Sequence, residues 1–323
     1  MKHLKLASAV VAACALTLTA CGDDDGETDY PTEAIDLTIP FGAGGATDLA
    51  ARAMAEALAD ELGQPVNPTN REGANQITAV SYVNDATADG YTLLADGGGS
   101  STLQSLLEDL PYEWDDRTFI ARVASGSHAY AVSANSGIET MDDLIEAIQE
   151  DPSSFSIAWL GGTSTSDFTT LQLLAEIDVD ANDINWVPFT GSGDAMQAAA
   201  AGDVDLAVGG TSATAALYSS GDLIPLAKTG EDPNFPDVPL TADEGFPELD
   251  MIYWVGLSGP ADLDDAVAEV LATTLEGLSD DEDLAASFED LGMVVDVLTG
   301  DEFEVYIETE AETFAELDGA LED

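Results

Sequence analysis

The stretch Ile35-Asp-Leu-Thr-Ile-Pro-Phe-Gly-Ala-Gly-Gly-Ala-Thr-Asp-Leu-Ala50 decides how the rest of the chain is read. Ile35 to Pro40 has the apolar character of a short strand, and residues 41–46 form a glycine-rich loop. From Thr47 the spacing becomes helical. Leu49, Ala53, Ala57 and Leu58 are expected to form the apolar stripe, and Gly63 to stop the helix. A strand that turns through glycines into a helix is the repeating unit of an α/β protein. It leaves the free N–H groups of the helix start at the carboxyl end of the strand.

The same alternation extends in both directions. Pro65 to Asn70 and Tyr91 to Ala95 read as strands, with a short helix near Gln76 to Val83 between them. Further on, Met141 to Gln149 reads as a helix capped by Thr140, Phe155 to Trp159 as a strand, and a helix begins near Asp167. Asn185 to Phe189, a helix over Gly193 to Ala201, and Val204 to Val208 continue the pattern. Ile252 to Leu257 is a buried strand by composition. The end of the chain is helical over Leu263–Leu278, Glu282–Leu291 and Asp301–Leu317. The fold class is therefore α/β.

Four junction loops share one composition. They are Phe41-Gly-Ala-Gly-Gly-Ala-Thr-Asp48, Gly161-Gly-Thr-Ser-Thr-Ser-Asp167, Thr190-Gly-Ser-Gly-Asp194 and Gly209-Gly-Thr-Ser-Ala213. Glycine lets main chain approach a ligand, Ser and Thr add hydroxyls, and each following helix start carries a partial positive charge. Together such loops can hold an anion or polar solute without Lys or Arg. Singly, Thr47, Ser166 and Ser192 read as helix caps. No Gly-Lys-Ser/Thr follows any of them, so a nucleotide phosphate loop is not supported.

Composition narrows the function. The 323 residues carry 64 Asp and Glu against 7 Lys and Arg, a formal charge of −57, with two cysteines and two histidines. Basic phosphate-neutralising patches are missing, which disfavours nucleic-acid binding. Self-repulsion on this scale is screened in concentrated salt, and the surface reads as adapted to a saline exterior. Lys2 and Lys5 precede an uncharged run from Leu6 to Ala20 that ends in Leu18-Thr-Ala-Cys21. That run is too short to span a bilayer and has the layout of a secretory leader. It resembles a lipoprotein signal over residues 1–20, with Cys21 as the lipid-bearing residue and 21–31 as an acidic tether. Export would then place the protein outside the cytoplasm, held on the outer face of the cell membrane. Cys14 and His3 would leave with the leader, so His128 alone gives little support to zinc, Ser–His or Cys–His chemistry. Acid runs such as Asp280-Asp-Glu-Asp283 lack calcium-loop spacing and read as solvated surface. No metal or cofactor is expected.

A family resemblance rests on several short motifs in a fixed order. Ile39-Pro-Phe-Gly-Ala-Gly-Gly-Ala-Thr-Asp48 with Ala51-Arg52 comes first, then Leu62-Gly-Gln-Pro-Val66, Asn70-Arg-Glu-Gly73 and Asp89-Gly-Tyr-Thr-Leu-Leu94. Leu110-Pro-Tyr112, Gly202-Asp-Val-Asp-Leu206, Pro236-Asp-Val-Pro-Leu240, Trp254-Val-Gly256 and Gly259-Pro260 follow. Across residues 30–318 the chain resembles the substrate-binding proteins of tripartite tricarboxylate transporters, the Bug family. The resemblance implies a two-lobe fold of the periplasmic-binding-protein type, with residues 32–131 and 251–323 as one lobe and 132–250 as the other. A small organic carboxylate would be held in the interlobe cleft and delivered to multi-span transporter subunits, with no catalysis.

Carried over by position, the implied pocket takes Phe41, Gly44, Gly45, Thr47 and Asp48, with Ser100, Ser101 and Thr102 from the same lobe. The opposite lobe would supply Gly161, Gly162, Thr163, Ser164, Thr165, Ser166 and Asp167, then Thr190, Gly191 and Ser192, and finally Thr211 and Ser212. Asp48 and Asp167 are either ligand acceptors or helix-start acids, and Arg52 is the expected i,i+4 partner of Asp48. Arg71 is expected to anchor its loop and His128 to be structural. Trp159, Trp254 and Tyr130 are read as core or cleft wall. Where many relatives have Ser-Ser-Gly followed by His, this chain has Trp159-Leu-Gly161 and then Asp167. Where many have Asp-Asn, it has Gly209-Gly210. These departures open the second lobe to a solute other than a common dicarboxylate. Two alternatives stand: a module presenting ligand to a membrane sensor, and an exported hydrolase using Ser192 with His128.

Overall fold

The computed structural model describes residues 29–44, 46–107, 109–162 and 164–319. The leader, Cys21 and the tether up to residue 28 lie outside the described residues, as do Gly45 and Thr163. In chain order the first elements are β1 (Ile35–Ile39), α1 (Ala46–Leu62), β2 (Val66–Asn70), α2 (Ile77–Asn84) and β3 (Thr92–Asp96). Two tight turns, Gly98–Ser100 and Thr102–Leu106, lead to the long strand β4 (Arg117–Ser133). Then come α3 (Met141–Glu150), β5 (Ser156–Trp159), α4 (Thr165–Glu176), β6 (Asn185–Pro188), α5 (Ser192–Ala201), β7 (Ala207–Gly210), α6 (Thr211–Ser220) and β8 (Leu223–Lys228). The chain ends with β9 (Ile252–Pro260), α7 (Asp265–Gly277), α8 (Glu282–Glu289), β10 (Met293–Thr299) and α9 (Gly300–Gly319).

The first sheet has the order β10-β4-β9-β3-β1-β2. Its β1, β2 and β3 are parallel, while β9, β4 and β10 join antiparallel. The β4–β9 register runs from Arg117 opposite Pro260 to Ser127 opposite Ile252. At the next residue β4 changes partners. His128 lies opposite Gly210 of β7, and Ala129 to Ser133 pair with β8. Parallel β5 and β6 attach through a bridge from Ile157 to Leu206, just ahead of β7. One continuous strand therefore serves two sheets, each with its own hydrophobic core.

The first core gathers Leu37, Ile39, Met54, Leu58, Leu257, Leu271 and Phe288 around the parallel strands. The second gathers Tyr130, Leu144, Ile157, Phe168, Leu174 and Leu206. Burying each large apolar side chain contributes roughly 1.5–3 kcal/mol, so both cores can hold their helices firmly. The end of α9 leans on the second core, with Phe314 4.8 Å from Phe168 between ring centres. Among the described residues no helix is long and apolar enough to cross a membrane.

The α/β reading and the placement of most helices agree with the sequence. In the stripe of α1, Leu58 is buried and Ala53 and Ala57 pack against the first core, but Leu49 does not: it is 42% exposed, and Ala50, Ala51, Met54 and Ala55 carry most of the buried face. Strands β4, β8 and β10 were not expected at all.

Gly256 sits opposite Asp96 of β3 and Arg122 of β4. A Cβ there would lie 2.3 Å from the Ala121 carbonyl oxygen and 3.0 Å from the Trp254 ring. Gly256→Ala is expected to destabilise the protein by about 1–3 kcal/mol, since main chain must shift to admit the methyl. Urea unfolding in concentrated salt, compared with the unaltered protein, measures this.

Candidate functional site: a cation-free cavity between the two cores

A cavity of about 520 Å³ opens between the two sheets. Helix starts form its walls: Ala46 and Thr47 of α1, Ser164 and Thr165 at α4, Ser192 and Gly193 of α5, and Gly210, Ser212 and Ala213 at α6. Phe41, Gln76 and Gly97 to Gly99 complete the side belonging to the first core. The floor is His128 of β4 with Tyr253 and Trp254 of β9, at the place where β4 changes sheets. First-turn N–H groups have no partner within their helix, so four such starts around one hollow can offer donors to an anion without a charged side chain.

Each basic residue of the described chain is engaged away from this lining. Arg52 pairs with Asp48 at 3.0 Å, Arg117 with Asp96 at 3.2 Å and Arg122 with Asp296 at 2.9 Å. The Arg71 guanidinium stacks 3.4 Å from the Tyr82 ring centre. Lys228 is buried and donates to the main-chain carbonyls of Asp232 and Phe235.

Two matching devices shape the loops. Gly44 (φ 88°) donates its N–H to Asp48 Oδ2 at 2.8 Å, and Gly162 (φ 71°) donates to Asp167 Oδ2 at 2.9 Å. Leu160 N–H also reaches Asp167 Oδ1 at 2.8 Å. In each case a first-turn acid folds the glycine loop back over its own helix start, and the left-handed glycine makes that turn possible. Asp48 is tied further to Asn70 Nδ2 at 2.7 Å and to Arg52. A third scaffold carries Gly97 to Gly99. Buried Asp96 accepts from Gly97 N–H, Ser100 Oγ and Ser258 Oγ, and Arg117 holds the Ser100 carbonyl at 2.6 Å.

The residues expected from the sequence therefore divide. Phe41, Thr47, Ser164, Thr165, Ser192 and Ser212 come together on the cavity wall. Asp48, Asp167 and Ser100 hold that wall in place from behind it. Ser101 bonds the Gly97 carbonyl, Thr102 bonds Glu310 at 2.6 Å, and the Ser166 hydroxyl meets that of Ser164 at 2.8 Å. Gly44, Gly161, Gly162, Thr190, Gly191 and Thr211 are outside the lining, Thr211 being fully buried. Gln76, Gly97 to Gly99, His128 and Tyr253 line the cavity and were not predicted to do so.

His128 is 3% exposed, and its Nε2 lies 3.0 Å from Thr165 Oγ1, joining the floor to the start of α4. Burial pulls its pKa down to about 3, against an opposing pull from the Gly209 carbonyl, so the imidazole is neutral at physiological pH. Burial pushes the Tyr253 phenol up to about 12, and it stays protonated.

With this geometry in place, the comparisons are direct. Residues 50–315 match the family model described as the tripartite tricarboxylate transporter family receptor. The chain belongs to that family of extracytoplasmic solute-binding receptors. Protein BugT of Bordetella pertussis is 28% identical over 293 residues, covering 88% of each chain. The structure of the periplasmic binding protein BugD is 25% identical with a TM-score of 0.71, covering 90% of this chain and 98% of that one. The R. palustris protein Rpa4515, solved with adipate, is 24% identical with a TM-score of 0.76, covering 91% and 98%.

Burial works to raise the pKa of Asp48, but Arg52, the Gly44 N–H and Asn70 outweigh it and hold the carboxyl below its ordinary value. A depressed folded-state pKa adds stability above the unfolded value, and that stability is lost as pH falls through the folded one. Asp48→Asn should therefore show a smaller loss of unfolding free energy than the unaltered protein between about pH 5 and 3. Parallel denaturation curves across that range check the difference.

Proposed function

We propose that this receptor captures a small organic carboxylate in the cavity between its two cores and delivers it to a tripartite tricarboxylate-type membrane transporter. The observation that carries this reading is the meeting of four helix starts, from both sheets, around one hollow. Carboxylate oxygens are the natural acceptors for such N–H groups. A relative in fold solved with adipate supports the same ligand class. One helix start contributes about 0.3–1 kcal/mol, rarely 2, while micromolar capture needs about −8 kcal/mol. Several starts must act on one solute, which favours closure of the two halves over it.

The lobes are read as 32–131 with 251–323, and 132–250. The change of partners at His128 and the start of β9 at Ile252 support a hinge at these two strands. No catalytic step is assigned, because the His128 imidazole is tied to Thr165, leaving Ser192 without a base. The leader over 1–20, with Cys21 as lipid anchor, would hold the receptor on the outer membrane face. A second acyl chain is then needed for stable tethering. The acid-rich surface is read as fitted to a saline medium.

Calorimetric titration with carboxylates, amino acids and sugars in molar salt tests the proposal, and saturable binding of a carboxylate is the expected result. No saturable binding to any carboxylate would overturn it. Because acids surround a cavity without cations, affinity for an anion should rise between about 0.1 and 1 M salt, as the Debye length falls from about 10 to 3 Å. A pocket built on Lys or Arg would show the opposite slope. Between pH 6 and 8 binding should be flat with respect to His128, since that group titrates near 3. Separately, Cys21→Ser should release the receptor from membranes into the soluble fraction.

A further inference from the structure

Asp232, in the turn after β8, is 1% exposed. Its Oδ1 accepts from Asn234 N–H at 2.8 Å, while Oδ2 has no hydrogen-bond partner. A buried carboxylate oxygen in that state is costly, so its location matters. A Cβ on Gly292 would lie 3.3 Å from Asp232 Oδ2 and 3.4 Å from both Ser212 N and Thr211 Oγ1. That unpartnered oxygen thus shares one small space with the first residues of α6, and Ser212 lines the ligand cavity. Thr211 Oγ1 is buried there without a partner as well. Asp232 is also near enough to Tyr253 on the cavity floor for its charge to be felt there. Its charge reinforces the burial that raises the phenol pKa, while the Ser212 hydroxyl opposes the shift without reaching hydrogen-bond geometry.

Among the described residues no cation offsets this carboxylate by direct pairing. Lys228 is the basic group of the same segment. Its ammonium bonds the Asp232 main-chain carbonyl at 3.3 Å and that of Phe235 at 2.9 Å, and it makes no ion pair with the side chain. Other acids behind the cavity walls have partners: Asp96 pairs with Arg117, and Glu310 accepts from Thr102, Trp254 and Tyr306. Asp48 is neutralised by Arg52, and Asp167 accepts from two loop N–H groups. The wall at α6 therefore offers its helix start with a negative charge already beside it.

We propose that Asp232 sets the charge of the accepted solute, making the α6 wall reject a second carboxylate so that a singly charged solute is taken in preference to a dianion of the same skeleton. This rests on the reading of the cavity as a carboxylate site and names the class within it. Like charges a few ångströms apart in a closed cleft repel strongly enough to change affinity on the order of tenfold or more.

The test is titration of succinate and of monomethyl succinate at pH 7.5 in molar salt. The unaltered receptor should bind the monoester at least as tightly as the diacid. Asp232→Asn should tighten succinate about tenfold and move the monoester by less than about threefold. Asp232→Ser serves as a second neutral replacement, and Asp232→Glu should keep the original ratio. A tenfold preference of the unaltered receptor for succinate overturns the proposal. So does an unchanged ratio in a folded neutral variant. If neither solute nor any other carboxylate binds, the carboxylate reading of the cavity falls and takes this inference with it.

Discussion

In the proposed reading, attracting an anion without a cation is the constraint around which the cavity is arranged. The five basic residues after residue 20, Arg52, Arg71, Arg117, Arg122 and Lys228, each serve the scaffold. Attraction for an anion would then come from oriented peptide groups at helix starts. Such groups work only when held in place, because their individual contributions are small. Carboxylates provide that rigidity: Asp48 and Asp167 pin their glycine loops, and Asp96 with Arg117 pins the segment at Gly97 to Gly99. Acids thus shape the walls of a site proposed for an acid, and their oxygens are engaged by loop N–H groups, serine hydroxyls and arginines.

Strand β4 joins the two halves of that local arrangement, and the closure proposed above would turn on it. It belongs to the first sheet through Ser127 and to the second from His128. The floor of the cavity lies at this switch, so in the proposed closure a small change in twist there would move one set of helix starts relative to the other. His128 bonded to Thr165 couples floor and wall directly. A solute contacting both halves favours the closed form by as much as it binds that form better. Closure also excludes water and strengthens each polar contact.

Much of this was legible in the chain. The passage from Ile35 through Leu62 announces strand, glycine turn and helix. Four Ser/Thr/Gly junctions announce a polar site, and six of the residues named from them share the cavity wall. The i,i+4 pairing of Asp48 with Arg52 was also readable. Strand β4 was not, because Ala121, Ala124, Gly126 and Ser127 are small and carry no β-branched signature, while Arg117, Arg122 and His128 look like surface. They are buried by partners distant in sequence. For the same reason His128, Gln76 and Tyr253 escaped notice as lining residues: each reaches the cavity through tertiary placement, not through a motif. Leu49 misled because Ala50, Ala51, Met54, Ala55 and Leu58 already supply the buried face of α1, which leaves Leu49 at its edge.

The most direct test of the central claim is a crystal structure of the receptor with a bound carboxylate. The account predicts carboxylate oxygens accepting hydrogen bonds from main-chain N–H groups at the start of α1 and at the start of at least one of α4, α5 and α6, with no Lys or Arg side chain in contact. A solute held on one half alone, or bound by a basic side chain drawn into the cavity, would contradict it.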